Sequence, residues 1–164
     1  MPSRWTFSIK PIAELLARLV PQPNEWIDPF AGMTSPAKHR NDINPESKAD
    51  YHEDAEAFVK RFDKIEGFLF DPPYSPRQIS ECYKSLGMEV GMKETQSAVL
   101  YQRVKDAACQ RIKAGGLSIS FGWNTVGMGV GRGFEIEEIM LVCHGGAHND
   151  TIVTVERRKA DLFS

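Results

Sequence analysis

The apolar run Gly67-Phe68-Leu69-Phe70 passes directly into Asp71-Pro72-Pro73-Tyr74, and this junction constrains the fold more than any other part of the chain. A short apolar run without alternation reads as a strand buried on both faces, as in parallel sheets covered by helices. Proline lacks an N–H and fixes its own φ, so two in succession end the strand in a stiff, extended corner whose carbonyls point outward. Open α/β sheets bind their ligands at the carboxyl ends of such strands. The corner therefore gathers a carboxylate, a free carbonyl and an aromatic face where chemistry is expected.

A planar aromatic amine fits that set. Its N–H donors would bond to the Asp71 carboxylate and the Pro72 carbonyl while its ring stacks on Tyr74. Accepting both protons draws the nitrogen lone pair out of conjugation and makes the nitrogen a nucleophile. A plain turn is the alternative reading of the same four residues.

Further acids stand at similar places upstream. Glu25-Trp26-Ile27-Asp28-Pro29-Phe30-Ala31-Gly32 is a second strand-like run ending in an acid and a small-residue turn. A glycine there lets the backbone approach a ligand, and Asp28 could bind a ligand ammonium. Asn41-Asp42-Ile43-Asn44-Pro45 offers a short strand followed by an acid, the arrangement that grips ribose hydroxyls in nucleotide-binding α/β folds. Asp54-Ala55 opens a helical run over residues 55–62, where a side chain or N–H could read an adenine edge. Each acid taken singly also fits a solvated loop; successive strand ends make the set coherent.

This ordered set resembles the amino-methyltransferases that use S-adenosylmethionine, above all the DNA adenine-N6 enzymes. The resemblance spans at least residues 8–121, because Lys10-Pro11-Ile12 looks like the family's segment that borders the methionine end of the cofactor. It implies that Lys10, Asp28, Pro29, Phe30, Ala31 and Gly32 hold the methionine moiety. It further implies that Asp42 binds the ribose with Asn44 beside it, and that Asp54 with Ala55 binds the adenine. Asp71, Pro72, Pro73 and Tyr74 would be catalytic. The implied fold is α/β, a Rossmann-like class I methyltransferase with a twisted, mainly parallel sheet and an antiparallel C-terminal hairpin.

The chain departs from that family in its first crossover. Only residues 33–41 separate Gly32 from Asp42, and Ser35-Pro36 sits in the middle. Nine residues with an internal proline cannot hold the usual helix, so a loop or single turn is expected, with one sheet face thinly covered. A separate target-recognition region also has no room, so residues 1–164 are expected to form a single domain.

Composition suits a small enzyme. The chain has 164 residues, 41% of them hydrophobic, enough for one sizeable core. No apolar run approaches a membrane span, and Met1-Pro2-Ser3-Arg4-Trp5 lacks a signal-peptide core, so no membrane partner is expected. Cys82, Cys109 and Cys143 are odd in number and widely spaced, which argues against a disulfide framework and for a reducing, cytoplasmic setting. A net charge of −2 limits nucleic-acid binding to local contacts, since broad phosphate neutralisation needs a basic protein. Candidates are Arg77, Lys84 and Lys93 after the proline corner, Arg132 in the glycine-rich stretch 127–133, and Arg157-Arg158-Lys159, which also reads as a solvated tail.

Elsewhere the pattern predicts helices over 12–20 and 98–114, the latter closed by Gly115-Gly116, and a buried strand over 117–122. Residues 134–143 and 151–157 alternate as an antiparallel pair would. The segment 75–96 is expected to be a loop that contacts the substrate strand, with Arg77 in it, or an ordinary surface excursion. Trp123, at a strand end, offers a surface for stacking a base or for covering the core. Cys143-His144-Gly145-Gly146-Ala147-His148-Asn149-Asp150 holds two histidines and a cysteine, but a structural zinc site needs four ligands, so no metal is expected. It reads as a hairpin turn, which in the related enzymes lies beside the target base and would bring His148 or Asn149 to the substrate. Partners are then DNA, or RNA in its place, with homo- or hetero-oligomers left open. Cytosine N4, an RNA amine or a protein glutamine are alternative targets, and a non-catalytic subunit that keeps the fold is the alternative class.

Overall fold

A computed structural model of the chain describes residues 5–73, 94–146 and 148–160. Among them, strands β1 (Trp26–Asp28), β2 (His39–Arg40), β3 (Ile65–Phe70), β4 (Ile112–Gly122), β5 (Phe134–Val142) and β6 (Thr151–Arg158) form one sheet in the order β2-β1-β3-β4-β6-β5. Strands β1 to β4 pair in parallel, whereas β6 runs antiparallel to both β4 and β5. Helices α1 (Lys10–Leu19), α2 (Ala55–Val59) and α3 (Glu94–Cys109) cover the sheet.

Side-chain alternation divides the core into two layers. On one face Ile12, Leu15 and Leu16 of α1, spaced to share one side of the helix, pack against Leu69, Ile119, Phe121 and Val153. On the other, Phe58 and Val59 of α2 and Val104, Ala107 and Ala108 of α3 meet Ile27, Phe68, Phe70 and Ile112. Pro11 in the first turn of α1 costs no hydrogen bond, because that N–H has no helical partner anyway.

Gly67 permits the central pairing. Trp26 faces it across β1 and β3, and a Cβ on Gly67 would lie 2.0 Å from the indole ring. The glycine that opens the apolar run is thus the floor for a buried tryptophan.

The first crossover, residues 29–38, contains no helix, as its length and Pro36 require. The face it would have covered carries α1, supplemented by Ala37 from the loop itself. Three elements differ from sequence expectation. Strand β2 occupies residues 39–40, ahead of the expected 41–45, and Asn41 continues it only as an isolated parallel bridge to Tyr51. Helix α2 stops at Val59, short of residue 62. The largest difference is in α3, which spans Glu94–Cys109 instead of 98–114, so Gly115-Gly116 lie within β4 and do not close the helix. Tertiary pairing overrides helix propensity here: Ile112 pairs with Ile65 and Leu117 with Gly67, and the intervening residues form an irregularity in the ladder.

Candidate active site

The parallel strands β1 and β3 are adjacent, so their carboxyl ends bring Asp28 and Asp71 to one edge of the sheet. Strand β4 ends at the same edge with Gly122, followed by Trp123. Because Ile152 pairs with Gly122, the turn between β5 and β6 returns to this edge too, carrying His148 and Asn149. The sheet thus gathers the acid corner, the tryptophan and the hairpin turn at one end.

Asp28 is fully buried and shapes the glycine turn. One carboxylate oxygen accepts from the Phe30 N–H at 2.9 Å and the other from the Ser35 hydroxyl at 2.6 Å. Burial dominates over these bonds and pushes its pKa up to about 7, with nearby Asp42 adding to the rise. Pro29 and Ala31 are buried and Phe30 is half-buried, its ring edge-on to Phe70 and Tyr101 at 5.7 Å from each. Gly32 adopts φ 55°, the left-handed region that favours glycine.

Asp42 closes the turn from the side of β2. Its Oδ2 accepts from the Gly32 N–H at 3.0 Å and its Oδ1 from the Asn44 N–H at 2.8 Å. Desolvation raises its pKa as well, against the pull of those two bonds. Half-buried Asp42 keeps acceptor sites that a ligand donor can reach, whereas Asp28 has no exposed surface. Asp54 is exposed and caps α2 through the Ala57 N–H at 3.0 Å, with Ala55 buried behind it. Lys10 begins α1 and is exposed.

Asp71 differs from the other acids in leaving a buried oxygen without a partner. It is 8% exposed, and its buried Oδ1 has no hydrogen-bond partner among the described residues. Desolvation holds its pKa well above the ordinary value; Thr6 opposes that rise and the Asp28 charge adds to it. Pro72 is buried, while the carbonyl of half-buried Pro73 accepts from the Tyr101 hydroxyl. Tyr74, Arg77, Lys84 and Lys93 lie outside the described residues.

The remaining substrate candidates divide. Trp123 is 40% exposed, and His148 and Asn149 are exposed in the turn. Arg132 is committed inward: its guanidinium bonds Asp106 at 2.7 Å, Gln102 at 2.6 Å and the Met128 carbonyl at 3.1 Å, tying the 130–132 turn to α3. The Arg157 guanidinium likewise bonds Glu137 and the Gly115 carbonyl, and that of Arg158 bonds the Cys109 carbonyl. In the 143–150 turn, His144 donates its N–H to Asp150 at 2.9 Å and its ring bonds Thr151 at 2.8 Å. Among the described residues no three His, Cys, Asp or Glu side chains come together as a metal site, and no helix is long and apolar enough to cross a membrane.

Three residues outside the predicted set prove structural to the site. Buried Asn41 spends its amide on the Pro29 and Glu53 carbonyls, at 3.2 and 3.0 Å, and on the Glu53 N–H at 3.0 Å, fixing the glycine turn against the segment before α2. Buried Glu156 accepts from the N–H groups of Met128 and Gly129 at 2.7 and 2.9 Å, and buried Lys105 donates to the Gly127 carbonyl at 3.0 Å. Together these two anchor the loop that carries Trp123. In sequence Glu156 and Lys105 look like ordinary surface charges, because their partners are backbone groups far away in the chain. A cavity of about 170 Å³ lies beside that loop, lined by Phe70, Tyr101, Lys105, Ser120 and Asn124.

No known protein-family model matches the chain, and no curated protein matches its sequence. Solved structures match its fold. TrmN from Thermus thermophilus superposes with a TM-score of 0.56 at 17% identity, over 90% of this chain and 48% of that one. The 1,6-didemethyltoxoflavin-N1-methyltransferase of Burkholderia thailandensis, solved with 1,6-didemethyltoxoflavin and S-adenosylhomocysteine bound, gives 0.58 at 10% identity over 92% and 78%. The N-methyltransferase NodS from Bradyrhizobium japonicum WM9 gives 0.52 at 10% identity over 94% and 97%. The chain therefore has the Rossmann-like fold of the class I methyltransferases, in a form that spans about half the length of TrmN.

Proposed function

We propose that this chain is an S-adenosylmethionine-dependent methyltransferase acting on the exocyclic N6 amine of adenine in DNA. The observation that carries the reading is Asp71: a buried carboxylate at the carboxyl end of β3, with an unpartnered oxygen, fixed in place by two prolines. A buried acceptor without a donor is costly, about 1–3 kcal/mol, and an amine substrate would relieve that cost by donating to it. Two of the three solved structures above are named for methyl transfer at nitrogen, and one was solved with S-adenosylhomocysteine, which supports both the reaction class and the cofactor.

The residues fit the cofactor. The turn from Asp28 to Gly32, with its left-handed glycine and half-buried Phe30, offers a polar cradle for the methionine end, and the sequence resemblance assigns Lys10 to the same end. Asp42, with Asn44 beside it, would take the ribose, and the segment at Asp54 and Ala55 the adenine. Bound there, S-adenosylmethionine supplies an electrophilic methyl group on a good leaving group, so no covalent enzyme intermediate is needed.

The chain's own task is to prepare the amine. Asp71 and the Pro72 carbonyl accept its two N–H groups, Tyr74 stacks on the flipped base, and positive charge growing on the nitrogen is met by the carboxylate. The interaction strengthens as charge develops, so it favours the transition state over the bound substrate. Trp123, His148 and Asn149 at the same edge, with Arg77 in the segment after the corner, are the residues we assign to DNA contact. Arg132 acts by holding the loop under Trp123. The test is to incubate the chain with S-adenosylmethionine and unmethylated DNA, RNA or glutamine peptide and analyse the products by mass spectrometry. N6-methyladenine from DNA is the expected product; N4-methylcytosine, methylated RNA or methylglutamine would reassign the substrate, and no methylated product would favour the non-catalytic subunit.

A further inference from the structure

We propose that the cavity between α3 and the loop after β4 is a recognition site for guanine, taken by its O6 and N7 edge, with Lys105, Gln102 and Asn124 as the groups that read it. The inference rests on the methyltransferase reading above and deepens it, because it names the base that neighbours the methylated adenine. The cavity has a volume of about 170 Å³. Phe70 and Ser120, paired across β3 and β4, line it together with Tyr101. It borders the proline corner twice: Phe70 directly precedes Asp71, and the Tyr101 hydroxyl bonds the Pro73 carbonyl. Pockets for drug-sized ligands measure about 300–1,000 Å³, so this one suits a single ring system.

The polar side chains of the lining have their acceptors engaged by the protein. Asn124 Oδ1 accepts from the Val126 N–H at 3.0 Å, and Gln102 Oε1 accepts from the Arg132 guanidinium at 2.6 Å. An amide whose oxygen is held in this way keeps its NH2 group for another partner. Lys105, 5% exposed, donates to the carbonyls of Gly127 and Val126 at 3.0 and 3.4 Å, and its ammonium stands 5.0 Å from the centre of the Phe70 ring. The charge thus lies between Val126 and Phe70, both in the lining.

A lining of donors is complemented by an edge that carries acceptors only. Guanine presents two adjacent acceptors, O6 and N7, on its major-groove edge; adenine and cytosine place an amino donor there, and thymine a single oxygen beside a methyl group. Charge argues against a phosphate in the cavity. Arg132 and Glu156 are the charges acting on Lys105, and Asp106 pairs with Arg132 at 2.7 Å, so two cations face two carboxylates and leave no positive surplus. The aromatic rings of Phe70 and Tyr101 suit a flat, neutral ligand.

The experiment maps methylated sites on random-sequence DNA and then varies the base beside the methylated adenine. The wild type should require guanine at one fixed neighbouring position. Hypoxanthine there, which keeps O6 and N7, should react as guanine does, whereas 2-aminopurine, which lacks O6, and 7-deazaguanine, which lacks N7, should each lower kcat/KM about 10-fold. Two variants locate the effect: Lys105→Met removes the ammonium and keeps the apolar stem, and Asn124→Asp keeps the oxygen that holds Val126 and loses the donor. Both should react with guanine and its analogues at similar rates, whereas mere loosening of the loop would slow every substrate alike. A wild type with no preferred neighbour, or variants that retain the wild-type preference, would overturn the guanine site and leave the methyltransferase reading intact. A wild type that methylates no DNA would overturn that reading, and titration of the full chain with guanosine and 7-deazaguanosine, followed by the side-chain amide resonances of Gln102 and Asn124, would then decide the site. Shifts with guanosine that 7-deazaguanosine does not produce would uphold it; equal shifts, or none with either, would overturn it.

Discussion

Asp28 and Asp71 stand at the carboxyl ends of neighbouring parallel strands, both buried, and the charge on Asp28 makes Asp71 harder to ionise. Asp28 answers its burial with two hydrogen bonds inside the glycine turn, whereas Asp71 leaves one buried oxygen without a partner. The same physical condition thus serves two ends: the first acid builds the turn, and the second waits for a donor. Sites that do chemistry commonly retain such unrelieved cost.

Stability should fall as the pH rises through neutrality. The unfolded chain releases the Asp28 proton near pH 3.8, but the folded chain keeps it to about pH 7, so folding binds a proton between the two values. The contribution is fully present below pH 3.8 and lost as the pH passes 7, amounting to about 4 kcal/mol. Asp71 shifts in the same direction. Denaturant melts at about pH 5 and about pH 8 should show the higher stability at the acid end, and Asp28→Asn should flatten the slope.

Ser35→Ala removes the donor to a fully buried oxygen of Asp28. The loss should be about 1–3 kcal/mol of stability, measured by urea unfolding, because the orphaned acceptor has no access to water. Cofactor affinity should fall with it, since Ser35 shapes the loop that replaces the usual crossover helix.

At Gly67 a methyl group would lie 2.0 Å from the ring of Trp26, which is itself 4% exposed and has no free space to enter. Gly67→Ala should cost about 1–3 kcal/mol and broaden the Trp26 fluorescence transition. An Ala variant of wild-type stability would mean that the β1–β3 pairing is looser than described.

Gly32→Ala forces a side chain into the left-handed region at φ 55°, at a cost of about 1–2 kcal/mol. Relief of that strain breaks the N–H bond to Asp42. Calorimetric titration should therefore show S-adenosylmethionine binding weakened in Gly32→Ala and in Asp42→Ala alike.

Much of this arrangement was legible in the sequence, for identifiable reasons. The buried strand before Asp71, the β5–β6 alternation and the short crossover with its internal proline are each set by local chemistry, and the fold reproduces them. The end of α3 was not legible, because Ile112 is drawn into β4 by its pairing with Ile65 across the sheet. The same limit hid Asn41, Lys105 and Glu156: each acts through a partner distant in sequence, and a lone polar or charged residue carries no local mark of that. Conversely Arg132, isolated among glycines, looked like a free cation and is held by Asp106 and Gln102 of α3.

The central claim is that the unpartnered oxygen of Asp71 receives the amine, and comparison of Asp71→Asn with wild type tests it most directly. Single-turnover methylation of adenine-containing DNA and calorimetric binding of S-adenosylmethionine would be measured on both proteins. Turnover should fall at least ~100-fold while cofactor affinity stays near wild type, and the variant should be the more stable of the two at neutral pH, because a buried carboxylate has been replaced by a neutral amide. Undiminished turnover in Asp71→Asn would contradict the account, and the amine would have to be received elsewhere.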